Sequence, residues 1–194
     1  QDVDIFKDRE KFKLVLQLLS NIIKNHYRTT NFLKKTQKVL IFMKEEIKQT
    51  FSNSEIFNFF KSSKIIILFL IDENLITIDQ FIADTITNDK FKLRKYSEFF
   101  HNEIQPFIVT DTIKINISDD YEKNRRNGEN ETHICKLIRD DLIDEFITYV
   151  NKNDFYLDST IETSIFETNS LLLKKNPTLI EYAAFYGSIS VFKY

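Results

Sequence analysis

Only two glycines and two prolines punctuate 194 residues. Glycine supplies the left-handed backbone of tight turns and proline pre-sets others, so a many-stranded sheet needs both at its connections. Their scarcity points to helices joined by short polar turns. The apolar spacing agrees, because Phe12, Val15, Leu16, Leu19, Ile22 and Ile23 recur at helical intervals with charge on the other face. The expected fold is all-α, an array of helix hairpins. Helices are predicted over residues 3–27 and 30–49 as an antiparallel pair. A third starts at the capping box Ser52 to Glu55 and runs through the apolar stretch 65–71, with a break near Ser62 and Ser63. Thr77 and Gln80 offer a second capping box for a short fourth helix. A fifth, over residues 89–104, carries Phe91, Leu93, Tyr96, Phe99 and Phe100 as a core face and meets Pro106. Residues 109–117 alternate as a strand would in a helical context, and coil or a short helix is expected there.

Hydrophobic residues make up 42% of the chain and charged residues 29%, which is the balance of a globular protein. Nineteen Phe and much Ile, Lys and Asn match the codon bias of an AT-rich genome and carry little functional weight. The formal charge is −2, with 27 basic and 29 acidic residues intermixed, so no global field attracts nucleic acid or anionic lipid. Lys123, Arg125 and Arg126 form a basic cluster that flanking acids weaken. The apolar stretch 65–71 is far too short to span a bilayer, and membrane insertion is not expected. The single cysteine, Cys135, allows no internal disulfide and fits a reducing compartment, so the expected location is cytoplasmic. Sequons at Asn116 and Asn130 are of the kind that arise by chance in Asn-rich sequence.

No cofactor, metal or catalytic residue is expected. Asp140, Asp141, Asp144 and Glu145 are the obvious place for paired carboxylates, but they lack a partner base, a nucleophile or a glycine-rich loop, and a solvated helix face is the simpler reading. His26, His101 and His133 are scattered, and no second cysteine accompanies Cys135, whereas a zinc site needs three or four convergent ligands.

Residues 118–131 are nearly devoid of apolar side chains and are read as a polar linker between a helical domain, 1–117, and a C-terminal domain, 132–194. Within the latter, TLIEYAAFYGSISVFKY starts at Thr178. Thr178 and Glu181 have capping-box spacing, Ile180, Ala183 and Ala184 form an inner face, and Gly187 ends the helix without a Cβ penalty. Ile189, Val191 and Phe192 begin a second helix. This segment resembles the ankyrin repeat, whose pattern is Thr-Pro-Leu-His-x-Ala-Ala, two variable residues, Gly-His and a Val-rich second helix. Thr178, Ile180, Ala183, Ala184, Gly187 and Val191 fall on matching positions, while Leu179 replaces the usual Pro and Glu181 the His. A shift of forty-six residues lays Ile134 on Ile180, Ile143 on Ile189, Phe146 on Phe192 and Asp141 on Gly187, so residues 133–150 resemble a degenerate copy, with an insert at 151–176.

The last sixty residues also resemble the uncharacterised protist ankyrin proteins in which a helical non-ankyrin region precedes the repeats. The resemblance implies a non-catalytic protein–protein interaction scaffold with an unknown protein partner, and repeats that continue past Tyr194. The alternative is a structural or self-associating helical module that forms a homo-oligomer. Phe185 and Tyr186, with Glu181 nearby, occupy variable positions where a repeat contacts its partner. The simpler role for the two aromatics is packing against the insert or a following repeat.

Overall fold

The computed structural model describes residues 5–25, 30–88, 95–108, 119–173 and 176–194. The protein is all-α, and among the described residues the only β pairing is an isolated antiparallel bridge between Thr160 and Thr178. It divides into two compact units, Gln1–Asn116 and Ile117–Tyr194.

In the first unit a 3-10 turn, Ile5–Lys7, leads into α1, Arg9–Asn25. Then come α2, Thr30–Phe42, and α3, Lys44–Thr50, which Met43 alone separates. The capping box at Ser52 and Glu55 forms as expected and starts α4, Asn53–Phe60. Glu55 also pairs with Arg9 of α1. Its carboxyl is held below the ordinary range chiefly by the Ser52 hydrogen bonds and further by Arg9. The break at Ser62 and Ser63 is also present, and α5 follows as Lys64–Asp72, buried along nearly its whole length.

The next cap differs from the sequence reading. Asp79, not Thr77, starts α6, Gln80–Thr87, by accepting from the Ile82 N–H at 2.9 Å. Thr77 lies instead beside α4, where its backbone N–H and carbonyl both bond the Asn53 side chain, at 2.9 and 2.7 Å. The fifth helix is present in its described part as two short pieces, α7, Tyr96–Phe99, and α8, His101–Ile104. Phe91, Leu93, residues 109–117 and His26 lie outside the described residues.

The core of this unit gathers Phe12, Leu16, Leu40, Ile47, Phe57, Ile66, Ile82 and Phe99 from seven helices. It also encloses Lys64, wholly buried, with its ammonium 4.9 Å from the Phe99 ring centre and 5.9 Å from that of Tyr96. Cation–π attraction offsets part of the desolvation of that charge. The apolar stripe of α1 is wider than its core contact needs: Leu14 and Leu18 are 63% and 61% exposed.

The second unit holds α9, Tyr121–Asn127, and two helix hairpins. The first hairpin is α10, His133–Arg139, with α11, Ile143–Lys152. The second is α12, Leu179–Tyr186, with α13, Ile189–Lys193. The expectation of a solvated linker over 118–131 is corrected here. Tyr121, Arg125 and Asn130 are buried, α9 spans the middle of the segment, and Gly128 closes that helix at φ +66°. The polar groups find partners in the 151–176 insert. Thr168 donates its N–H and its hydroxyl to the Gly128 carbonyl at 3.1 and 2.7 Å, and the Asn130 side-chain amide donates to the Glu162 carbonyl at 3.1 Å. Tyr121 meets Phe166 ring to edge at 5.5 Å. Buried polar groups need partners, and these lie too far along the chain for composition to reveal.

The insert also flanks the start of α12. Ile161 donates its N–H to the Pro177 carbonyl at 2.7 Å, and Leu179 and Ile180 donate theirs to Ser159 and Leu157 at 3.0 and 3.1 Å. The second unit therefore has one core, in which Ile138, Phe146, Ile161, Leu172, Tyr182 and Val191 come together.

Candidate protein-binding face

The two hairpins share their cap positions and their corner at a spacing of forty-six residues. Thr132 and Thr178 are the N-caps of α10 and α12, and Leu142 and Ser188 those of α11 and α13. Both corners turn through a left-handed residue, Asp141 at φ 53° and Gly187 at φ 70°. At each, the next N–H reaches back five residues, Leu142 to the Leu137 carbonyl and Ser188 to the Ala183 carbonyl, both at 3.0 Å. This is the long bond of the Schellman motif, which satisfies a helix-end carbonyl.

The capping box at Thr178 and Glu181 is formed in both directions, at 3.2 and 2.9 Å. Glu181 is thereby committed to the helix start. The inner face of α12 differs from the expected one: Leu179, Tyr182 and Ala183 are buried, whereas Ile180 is half-buried and Ala184 exposed. Helical spacing fits both assignments, and the docking of α12 on α10 selects the face led by Tyr182. That ring was missed because Tyr182 stands at the variable position just before the alanine pair, which the repeat pattern places inward. Its hydroxyl has an inward partner, since the Arg139 guanidinium donates to it at 2.8 Å and to the Asn130 carbonyl at the same distance. Burial pushes the Tyr182 phenol far above its ordinary range, and Tyr186 beside it adds to the shift. Arg139 also pairs with Glu129 at 3.2 Å and lies 5.8 Å from the Tyr186 ring centre.

Phe185 and Tyr186 are half-buried against the second core, and Tyr186 lies 4.7 Å from Tyr182, ring centre to ring centre. These contacts are those of packing residues. The most exposed apolar side chains of the second hairpin lie elsewhere, at Ile189, Phe192 and Tyr194, which are 62%, 49% and 50% exposed.

Stacking of the two hairpins uses a specific set of groups on the first. Ile138 offers its carbonyl to the Ser188 hydroxyl. Phe146 packs edge-on against Tyr194 at 6.2 Å. The Asp141 carboxylate accepts from the Ser190 and Val191 N–H groups of α13, at 3.1 and 3.0 Å. Asp141 thus caps a helix of the next hairpin, a role hidden in the acidic group read as a solvated face. The Val191 and Ser190 bonds hold its carboxyl below the ordinary range.

Moved on by one period, Ile138, Asp141 and Phe146 become Ala184, Gly187 and Phe192. On the first hairpin Ile138 and Phe146 are fully buried; on the second Ala184 and Phe192 are open. A sequence signal for the correspondence exists outside the apolar positions, in Asn130 and Thr132 against Asn176 and Thr178.

Cys135 is fully buried and its thiol is pushed up to about 11, mainly by burial. A thiol so placed is unreactive. Among the described residues no group of three or more His, Cys, Asp or Glu side chains could hold a metal ion, and no helix is long and apolar enough to cross a membrane. No protein-family model, curated protein or solved structure matches the chain.

Proposed function

We propose that the chain is a non-catalytic protein–protein interaction scaffold whose second unit is an ankyrin-type pair of stacked helix hairpins, with a protein partner docking on the outer face of the second hairpin. The observation that carries this reading is the difference between equivalent positions: Phe146 is sealed by the neighbouring hairpin, while Phe192 is about half exposed. Repeat units bury their faces on one another, and an apolar face left open needs a cover. Ala184, Ile189 and Phe192 are apolar and exposed on the second hairpin, and exposed apolar surface of this kind supports an interaction site. The single cysteine suits a reducing compartment, and the cytoplasm is the location proposed. A photo-crosslinking residue at position 192 should capture a discrete protein in cell extract, and Ile189→Asp should abolish the adduct. Absence of an adduct, or one indifferent to Ile189→Asp, would overturn the reading.

A second reading, self-association through the first unit, is favoured by the exposed stripe of Leu14, Leu18 and Ile22 on α1. It predicts a dimer that Leu18→Asp dissociates. Truncation is the wrong test, because Phe12 and Leu16 of the same helix are core residues.

A further inference from the structure

Helix α1 is apolar on two sides. Phe12 and Leu16 enter the core, while Leu14, Leu18 and Ile22 line the opposite face and are 63%, 61% and 42% exposed. That exposed face has a symmetry of its own. Leu14 and Ile22 stand four residues either side of Leu18, and the polar Lys11 and Asn25 stand seven residues either side. Spacings of three and four residues put all five on one helix surface. Glu10 and Lys24, both exposed, bracket the exposed Gln17 in the same way along one flank of it.

We infer that α1 pairs with α1 of a second copy of the chain, antiparallel, with Leu18 on the two-fold axis. The inference rests on the self-association reading above and gives it a geometry. In a two-fold interface residue i meets residue j and j meets i, so a helix that reads alike outward from one residue is complementary to its own reverse. Leu18 then meets Leu18 of the other copy, Leu14 meets Ile22, and Lys11 meets Asn25. Along the flank Glu10 faces Lys24, twice per dimer. Glu10 lies 3.6 and 3.8 Å from Arg9 and Lys13 of its own helix, with its side chain 72% exposed. Pairs so exposed and so long are worth little, and exchanging them for Lys24 costs little.

The same residues oppose the other arrangements. Parallel pairing sets Lys11 against Lys11 and Glu10 against Glu10, and like charges across an interface are unfavourable. Sliding the antiparallel copies by one turn toward their N-termini sets Ile22 against Glu10. A different protein would impose no two-fold symmetry on a single helix. The contact has the length of a 17-residue helix, about 26 Å, and three apolar side chains per copy fall short of the ~1,200–2,000 Å² buried in stable interfaces. The dimer is therefore weak and reversible, with a Kd in the micromolar range.

Sedimentation equilibrium of the 194-residue chain should show dimer at about 100 μM protein, well above a micromolar Kd. Leu18→Asp should weaken it about a hundredfold or more, because it sets two carboxylates against each other on the axis. The helical circular dichroism should not change, since position 18 is exposed. Direction is read by crosslinking. Leu14→Cys and Ile22→Cys proteins, mixed and oxidised with diamide, should couple to each other about fivefold or more faster than either couples to itself, because a disulfide needs its two Cα atoms within about 7 Å. Cys135 is fully buried and does not compete. Glu10→Lys and Lys24→Glu should each weaken the dimer about fivefold, and a mixture of the two should regain about the parent affinity.

A chain that stays monomeric at that concentration, or a dimer that Leu18→Asp leaves intact, overturns the self-association reading and the inference with it. A dimer that Leu18→Asp dissociates, but in which Leu14→Cys couples to itself faster than to Ile22→Cys, is parallel and overturns the inference alone. So does a Glu10→Lys dimer as tight as the parent.

Discussion

Phe146 and Phe192 stand at the same position of two hairpins, and replacing each by alanine measures what stacking contributes. Phe146 is fully buried and in edge contact with Tyr194. Its truncation removes the transfer free energy of the ring and leaves a cavity, about 3–5 kcal/mol for a buried Phe. Phe192 is 49% exposed. Half of the ~1.5–3 kcal/mol gained by full burial is about 1 kcal/mol, and an open site leaves no cavity. The expected difference is thus about 2–4 kcal/mol between two residues at corresponding positions of their hairpins. Since 3–5 kcal/mol approaches the whole stability of a small unit, Phe146→Leu belongs in the series as a milder step of about 1–2 kcal/mol. Urea unfolding followed by far-ultraviolet circular dichroism gives each value at constant temperature. Equal costs for Phe146→Ala and Phe192→Ala would refute the claim that one face is sealed and the other open.

Acid should loosen the joint between the hairpins. Asp141 has a folded pKa below its ordinary value of 3.8, so its stabilisation is complete above that value and is lost as pH falls through the folded pKa. Asp141→Asn should reduce stability at pH 7, and the gap to the parent should narrow by pH 2 in urea titrations; a gap that does not vary with pH would contradict the assignment. Arg139→Ala removes donors from Tyr182 and Asn130 and should cost about 2–3 kcal/mol, because hydrogen bonds to a charged group are among the strong ones and the acceptors remain buried. Arg139→Lys, a point charge without the planar fork, should recover less than half of that loss in the same assay. Cys135, with its thiol pushed up to about 11, should resist thiol reagents at pH 8 in the native protein and react fully in denaturant. Asn53→Ala should cost about 1–2 kcal/mol in thermal unfolding, since its side chain alone bonds the Thr77 backbone from both sides.

Local signals were the readable ones. The capping boxes at Ser52 and Thr178, the left-handed Gly187 and the break before Lys64 depend on residues within a turn of each other. Where two local solutions competed, the pattern chose wrongly: Thr77 has the capping-box spacing, but the nearer Asp79 carboxylate caps the helix and Asn53 takes the Thr77 backbone. Groups whose partners lie far along the chain were unreadable. Asp141 looks solvated until α13 arrives 49 and 50 residues later. Asn130 looks like linker until the insert supplies Glu162. The inner face of α12 was misplaced for a related reason, because both Ala184 and Tyr182 satisfy a helical stripe and only the packing of another helix separates them.

The bonds that tie Gly128 to Thr168, forty residues apart, also set an order of events. Stacked repeats can in general fold one after another as they leave the ribosome. Here the first hairpin waits: its flank bonds residues 162–168, and its Ile138 and Phe146 share a core with Ile161, Leu172, Tyr182 and Val191. Closing such long loops is slow compared with forming the helices themselves. Residues 119–194 should therefore gain their structure in one cooperative step, with the helices of the first hairpin formed early and left undocked until the second emerges.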